Sequence, residues 1–325
     1  MTINWGIIGC GDVNEKKSGP AFGNVPNSKL SGVMRRNGAK AKDFAERHNV
    51  PNWYDNADDL IANPQINAIY IATPPKYHEE YALQAIAAGK NVYVEKPMST
   101  TVAACERMAA AADAKGVKLV VAHYRRQLPL YLGVKKMLEE GAIGAIRYVR
   151  LTILQPIKPT IIANSETFWR VDPLLAGGGL FYDLAPHQLD LVYHFFGKPK
   201  HYYGFATNQA GLYAAEDIVT GVMLLENDVF FNGIWCFSVA DGLQNDLCEI
   251  EGAKGRLSFH LYSDKATLYK DGKEEIINYQ HPTFVQQPMI EQVVQYFLGK
   301  ADNPCPAADA IECMRIMESF VYGGK

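Results

Sequence analysis

A chain of 325 residues with 48% hydrophobic and 21% charged residues can bury the cores of about two domains and has no disordered composition. A formal net charge of -3, a pI near 6.3 and the lack of a long basic tract exclude nucleic acid and anionic membrane as partners on charge grounds. No apolar stretch is long enough to span a bilayer, no leader-like segment precedes the first apolar run, and the six cysteines lack metal-site or disulfide-framework spacing. The expectation is a cytoplasmic, thiol-reduced, metal-free protein.

The first part alternates short apolar runs with helical patterns, which predicts a parallel sheet covered on both faces. The first strand, Trp5 to Ile8, runs into Gly9-Cys10-Gly11-Asp12-Val13-Asn14. Two glycines there allow a tight turn and a close approach of backbone to a pyrophosphate, so Gly9, Gly11, Asp12 and Val13 are expected to bind a dinucleotide. Asn14 stands where the fingerprint has its third glycine, and Gly19-Pro20 predicts a short, broken or displaced first helix.

The second strand, Leu30 to Met34, ends on Arg35-Arg36, about 24 residues beyond Gly11. An NAD-binding domain commonly offers a carboxylate to the ribose there, whereas two guanidiniums suit a 2′-phosphate. NADP(H) is therefore expected over NAD(H). A helix over Ala39 to Asn49 follows, then a strand at Ala68 to Ile71 and the turn Ala72-Thr73-Pro74-Pro75 at the sheet's carboxyl edge. Thr73, Pro74 and His78, which opens the helix Tyr77 to Ala88, are expected walls of the cofactor cleft. The strand Asn91 to Val94 ends on Glu95-Lys96-Pro97, and the helix Val102 to Lys115 leads to a last strand at Lys118 to Ala122. The fold class read for residues 1–122 is a doubly wound Rossmann domain.

From residue 123 to 325 the pattern becomes α+β, with a large, mostly antiparallel open sheet. Tyr124 and Arg125 stand at the junction as weaker substrate-binding candidates. A helix near Pro129 to Glu140 feeds a strand at Ile146 to Leu154. Next come Trp169, whose ring could lie on a nicotinamide or a sugar, and Arg170, a candidate for cofactor or substrate oxygens. Gly177-Gly178-Gly179 then opens a helix carrying Asp183, His187 and Asp190 at i, i+4 and i+7, hence on one face. Seven strands follow: Lys200 to Ala206, Ile218 to Leu225, Val229 to Phe237, Leu247 to Glu251, Arg256 to Phe259, Ala266 to Tyr269 and Glu274 to Tyr279. Asp271-Gly272 predicts a hairpin turn, and helices at Met289 to Leu298 and Ala307 to Tyr322 close the chain. The apolar and aromatic strands Val219 to Leu225 and Phe230 to Phe237 exceed what one covered face needs, which predicts a homodimer or homotetramer.

Together, Gly9-Cys10-Gly11, Ala72-Thr73-Pro74, Glu95-Lys96-Pro97 and the Gly-Gly-Gly, Asp183, His187 series resemble the glucose-fructose oxidoreductase, inositol dehydrogenase and rhizopine-catabolism (Gfo/Idh/MocA) family. The resemblance covers essentially the whole chain. It implies a Rossmann domain, an α+β domain, a nicotinamide cofactor between them, and catalysis by Lys96, Asp183 and His187, with Glu95 and Lys96 also at the cofactor. It further implies an oxidoreductase acting on a sugar, polyol or related cyclic alcohol or ketone. An NAD-dependent glycosidase or lyase using transient oxidation, and a non-catalytic ligand-sensing regulator, are the competing readings.

The chemistry of the residues agrees with that expectation. An imidazole with a pKa near ~6.5 can take a hydroxyl proton at neutral pH. An ammonium can hydrogen-bond the reacting oxygen and favour its developing charge. Asp183 could orient the imidazole or bind a neighbouring hydroxyl, and Asp190 could support the site through a hydrogen-bond network. Several hydroxyl-directed acceptors against only two arginines, Arg125 and Arg170, predict a neutral polyhydroxylated ring in preference to a simple carboxylic acid.

Overall fold

The computed structural model describes residues 1–11, 14–157 and 169–323. Two sheets organise the chain. The first is parallel throughout, with β1 (Ile3–Ile8), β2 (Ser28–Met34), β3 (Trp53–Tyr54), β4 (Ala68–Ile71), β5 (Asn91–Val94) and β6 (Leu119–Val121) in the order β3-β2-β1-β4-β5-β6. Every residue of β4 is buried, as is nearly all of β1 and β5, because helices cover both faces. Those helices are α1 (Gly19–Asn24), α2 (Gly38–Arg47), α3 (Ala57–Ala62), α4 (His78–Ala87) and α5 (Val102–Lys115). Local chemistry sets their ends: Asn37 caps α2 by accepting from Lys40 N, Thr101 caps α5 by accepting from Ala104 N, and α5 stops at Gly116 with φ +69°. Strand order reverses between β1 and β4, so the crevice beyond the carboxyl ends of those two strands is where such a sheet takes its ligand.

The second sheet contains β7 (Ile146–Leu154), β8 (His201–Thr207), β9 (Ile218–Leu224), β10 (Phe230–Cys236), β11 (Asn245–Gly252), β12 (Gly255–His260), β13 (Lys265–Lys270) and β14 (Lys273–Asn278). Its order is β14-β13-β12-β11-β7-β10-β9-β8, antiparallel except where β7 lies beside β10. Asp271 and Gly272, both at positive φ, make the predicted hairpin turn. The remaining helices are α6 (Pro129–Glu139), α7 (Pro173–Ala176), α8 (Leu180–Phe196), α9 (Gln287–Phe297) and α10 (Ala307–Tyr322). One face of the sheet receives α10 so closely that a Cβ on Gly204 would stand 2.7 Å from Phe320 Cα, and one on Gly221 2.3 Å from its ring. On the opposite face, among the described residues, Tyr203, Phe205, Val222 and Phe230 are between 44% and 60% exposed.

Two differences from the sequence reading, and one agreement with it, have physical reasons. First, β3, α3 and α7 are too short to generate a periodic pattern. Second, α1 is short and displaced as expected, because a wide π-type turn over Asn14–Ser18 precedes it. Third, the end of the chain returns to the first sheet instead of staying with the second. Phe297 packs 5.6 Å from Trp5, Val121 N donates to Cys305 O, and α10 touches α5 and β6 as well as α8 and β8. Among the described residues no helix is long and apolar enough to cross a membrane.

Candidate active site

The glycine turn is shaped by sterics before any ligand is considered. Gly9 has φ +95°, and a Cβ there would lie 2.9 Å from the Ala72 carbonyl and from Thr73 Cγ2, so only glycine lets β1 and the β4 turn approach. Around Gly11 a Cβ would meet nothing within 4 Å among the described residues. Asn14 takes over the third glycine's place by bonding: its Nδ2 donates to Gly9 O at 2.9 Å and its Oδ1 accepts from Ser18 at 3.1 Å. The tight approach moves to Gly19, where a Cβ would sit 2.4 Å from Asn14 O. Gly9 N and Cys10 N both donate to Met34 O, and Gly11 N to Gly9 O. The N–H groups of these three residues are therefore engaged within the fold, and the turn presents shape in place of free donors. Asp12 and Val13, expected to bind the same phosphate, lie outside the described residues. Thr73 Oγ1 is buried with no hydrogen-bond partner. A glycine turn at the switch point with an unsatisfied hydroxyl beside it fits a dinucleotide.

At the ribose end, Arg35 is half-buried close enough to Cys10 to act on its thiol, while the exposed Arg36 guanidinium stands 5.0 Å from the Tyr77 ring centre. Burial nevertheless pushes the Cys10 thiol up to about 11, so it is not a reactive group. His78 is not the cleft wall it was expected to be. It is fully buried, with its ring nitrogens 2.8 Å from Thr73 O and 3.0 Å from Pro97 O. Its place is behind the cleft, tying the turn after β4 to the turn after β5. Burial holds its pKa below the usual value, against the pull of those carbonyls and of Glu95.

The two distant motifs meet across the junction. A Cβ on Gly177, at φ +91°, would stand 3.2 Å from Thr100, and Gly179 N donates to Glu216 Oε1 where a Cβ would strike Glu216 O at 2.4 Å. That seats the start of α8 against the turn carrying Lys96. Lys96 Nζ donates to Asp183 Oδ1 at 2.8 Å and to Asp183 O at 2.7 Å, and Arg170 Nε donates to Asp183 Oδ2 at 3.0 Å. Asp183 is thus the acceptor that holds the ammonium and the guanidinium together. Arg170 also lies 4.5 Å from the Trp169 ring centre. One turn further along α8, His187 is 7% exposed, with the Tyr124 ring edge-on at 5.2 Å. Glu95 is buried and engaged by Tyr70 OH at 2.5 Å, Gln286 Nε2 at 2.8 Å and Lys96 N at 3.1 Å. Its carboxylate locks the Lys96 turn to the returning C-terminal segment instead of facing the cleft.

Beneath this layer, Asp190 is 1% exposed and Arg126 forks onto it, Nε at 2.9 Å to Oδ2 and Nη2 at 2.6 Å to Oδ1. Arg126 Nη1 reaches Asp309 Oδ2 at 2.7 Å, linking α8 to α10 through the junction. His123 Nδ1 stands 3.7 Å from Asp190, and burial keeps the imidazole's pKa low. The expected supporting role of Asp190 is carried by this network. Sequence reasoning missed Arg126, Gln286, Tyr70 and Tyr262, the last lying against Arg125; none has a local spacing signal, since each partner is more than 20 residues away.

A doubly wound sheet with a dinucleotide-shaped turn at its switch point, whose Lys96 meets an aspartate and a histidine-bearing helix of a second domain, defines a nicotinamide-dependent oxidoreductase of two-domain type. Residues 3–123 match the oxidoreductase family with an NAD-binding Rossmann fold, and residues 131–258 match the GFO/IDH/MocA C-terminal domain. The chain belongs to the Gfo/Idh/MocA family. It is 45% identical over 318 residues to an oxidoreductase of Formosa agariphila, covering 98% of each chain. It is 32% identical over 200 residues to scyllo-inositol 2-dehydrogenase (NADP(+)) of Bacillus subtilis, covering 61% of this chain and 53% of that one. Among solved structures, a levoglucosan dehydrogenase in complex with NADH and levoglucosan superposes with a TM-score of 0.87 at 22% identity, over 98% of this chain and 96% of that one. That last likeness is one of fold.

Proposed function

We propose that the chain moves a hydride to or from a secondary alcohol or ketone of a sugar, polyol or related cyclic substrate, with Lys96 and His187 handling the proton. The bridge from Lys96 to Asp183 carries this reading, because it places an ammonium from one domain beside the imidazole-bearing helix of the other. A bound nicotinamide supplies the hydride acceptor or donor. Lys96, held at two points by Asp183, presents its remaining N–H to the reacting oxygen and favours negative charge there. His187 takes the hydroxyl proton in oxidation and returns it in reduction, its ring position fixed against Tyr124. Arg35 and Arg36 favour NADP(H) over NAD(H). In cofactor-saturated assays, Lys96→Ala and His187→Ala should each lower turnover roughly 10²-fold or more, with the cofactor dissociation constant retained. Near-normal turnover in either variant removes that residue from the reaction.

The exposed apolar residues on the second sheet support a homodimer or homotetramer. Tyr203 pairs with Val222 across β8 and β9, and Phe205 and Phe230 stand on the same outward surface. A contiguous apolar patch of that kind is unusual on a monomer. Light scattering at micromolar concentration should report a dimer or larger, and Phe230→Asp should shift it toward monomer. A monomeric wild type overturns the assignment.

A further inference from the structure

Two adjacent arginines at the junction are treated differently by the fold. Arg126 spends its Nε/Nη2 edge on Asp190. Arg125 is just as inaccessible, at 6% exposure, yet among the described residues it has no carboxylate partner. Its Nη1 donates to Tyr131 OH at 2.7 Å and to Leu261 O, while among the described residues the buried Nε has no hydrogen-bond partner and none is seen for Nη2. Nε and Nη2 form the edge of a guanidinium that forks onto a carboxylate. Its flat faces are packed by aromatic rings: the guanidinium carbon lies 4.5 Å from the Tyr262 ring centre and 5.9 Å from those of Tyr124 and Tyr131.

A buried charge without a counter-charge is costly and is rarely kept for stability. Tyr124 links Arg125 to His187, its ring centre 5.9 Å from the guanidinium carbon and 5.2 Å from the imidazole centre. Tyr262, 39% exposed, also lines a cavity of about 620 Å³ together with Ser263, Asp264, Tyr279, Gln280 and His281. The ring that packs on the Arg125 guanidinium is thus also a wall of that cavity. Arg170, the other arginine of the cleft, is committed to Asp183.

We propose that Arg125 anchors a carboxylate carried by the substrate, so that the ring oxidised or reduced is a sugar acid. This rests on the hydride-transfer reading above and changes one expectation drawn from sequence, that of a neutral ring. A planar, two-oxygen group matches the free edge, which favours a carboxylate over a tetrahedral phosphate ester.

The test is equilibrium binding to the cofactor-loaded protein, so it does not depend on turnover. D-Glucuronate and D-galacturonate should bind at least about 10²-fold more tightly than D-glucose and D-galactose in calorimetry. Arg125→Met should remove most of that ratio, and Arg125→Lys should restore part of it. The wild-type ratio stands as evidence by itself if the methionine variant fails to fold. Equal binding of acids and neutral sugars, tighter binding of glucose 6-phosphate than of glucuronate, or an unchanged ratio in a folded Arg125→Met protein each overturns the proposal. Uronates that bind through Arg125 but do not turn over leave the anchor standing and sink the catalytic reading, whereas neutral sugars that turn over without any acid preference do the reverse.

Discussion

Arg125 and Arg126 are neighbours in one short turn, equally buried, and opposite in their accounting of charge. Arg126 finds Asp190 and Asp309 within the fold, so its energy is spent joining α8 to α10. Arg125 finds phenol rings, one hydroxyl and one carbonyl, which solvate a cation without neutralising it. The lesson is that burial alone does not say whether a charged side chain serves the fold or the ligand. The state of its hydrogen-bonding edge does.

The largest expected effect separates the two directly. Arg126→Met leaves Asp190 buried and unpaired, and breaking such a pair costs about 3 to 5 kcal/mol of stability. Arg125→Met strands no carboxylate among the described residues and replaces an unpaired cation by an apolar chain of similar length, so its stability should stay within about 1 kcal/mol of wild type. Urea unfolding of both variants decides it. A loss of equal size in the two would mean that Arg125 is as much a part of the fold as its neighbour, and the contrast would collapse.

The same contrast explains what was legible in the sequence. The strands of the first sheet, the glycine turn, Glu95-Lys96-Pro97 and the face carrying Asp183, His187 and Asp190 all declare themselves through local period or spacing. Their meeting, Lys96 on Asp183 and Gly177 against Thr100, was readable only through a family resemblance, because it joins residues more than 70 positions apart. Illegible altogether was whether either member of an Arg-Arg pair has a carboxylate partner. His78 shows the limit from the other side: a histidine at the right edge of the sheet looks like a cleft residue until the two carbonyls that enclose it are seen. Glu95 likewise sits in a catalytic-looking motif while its oxygens serve Tyr70 and Gln286.

A smaller effect is expected at the second adjacent pair, Arg35 and Arg36. Neither has a carboxylate partner among the described residues, so both resemble Arg125 more than Arg126. They differ in what engages them: Arg36 is exposed and rests on Tyr77, whereas Arg35 stands half-buried beside the glycine turn, close to Cys10. A 2′-phosphate at the end of β2 would draw on Arg35 first. Charge-assisted bonds there supply about 1.5 to 3 kcal/mol each, so NADP(H) should bind roughly tenfold to a hundredfold more tightly than NAD(H). Arg35→Asp should abolish or invert that ratio, because it removes the cation and places a carboxylate where ribose hydroxyls can use it. Arg36→Ala should reduce the ratio by less, since its guanidinium is already partly held by the Tyr77 ring. Fluorescence titration of both cofactors against the three proteins ranks them. Equal wild-type affinities, or a ratio untouched by Arg35→Asp, would show that an arginine without a fold-internal partner is not by that fact a ligand residue, and would weaken the argument for Arg125 along with it.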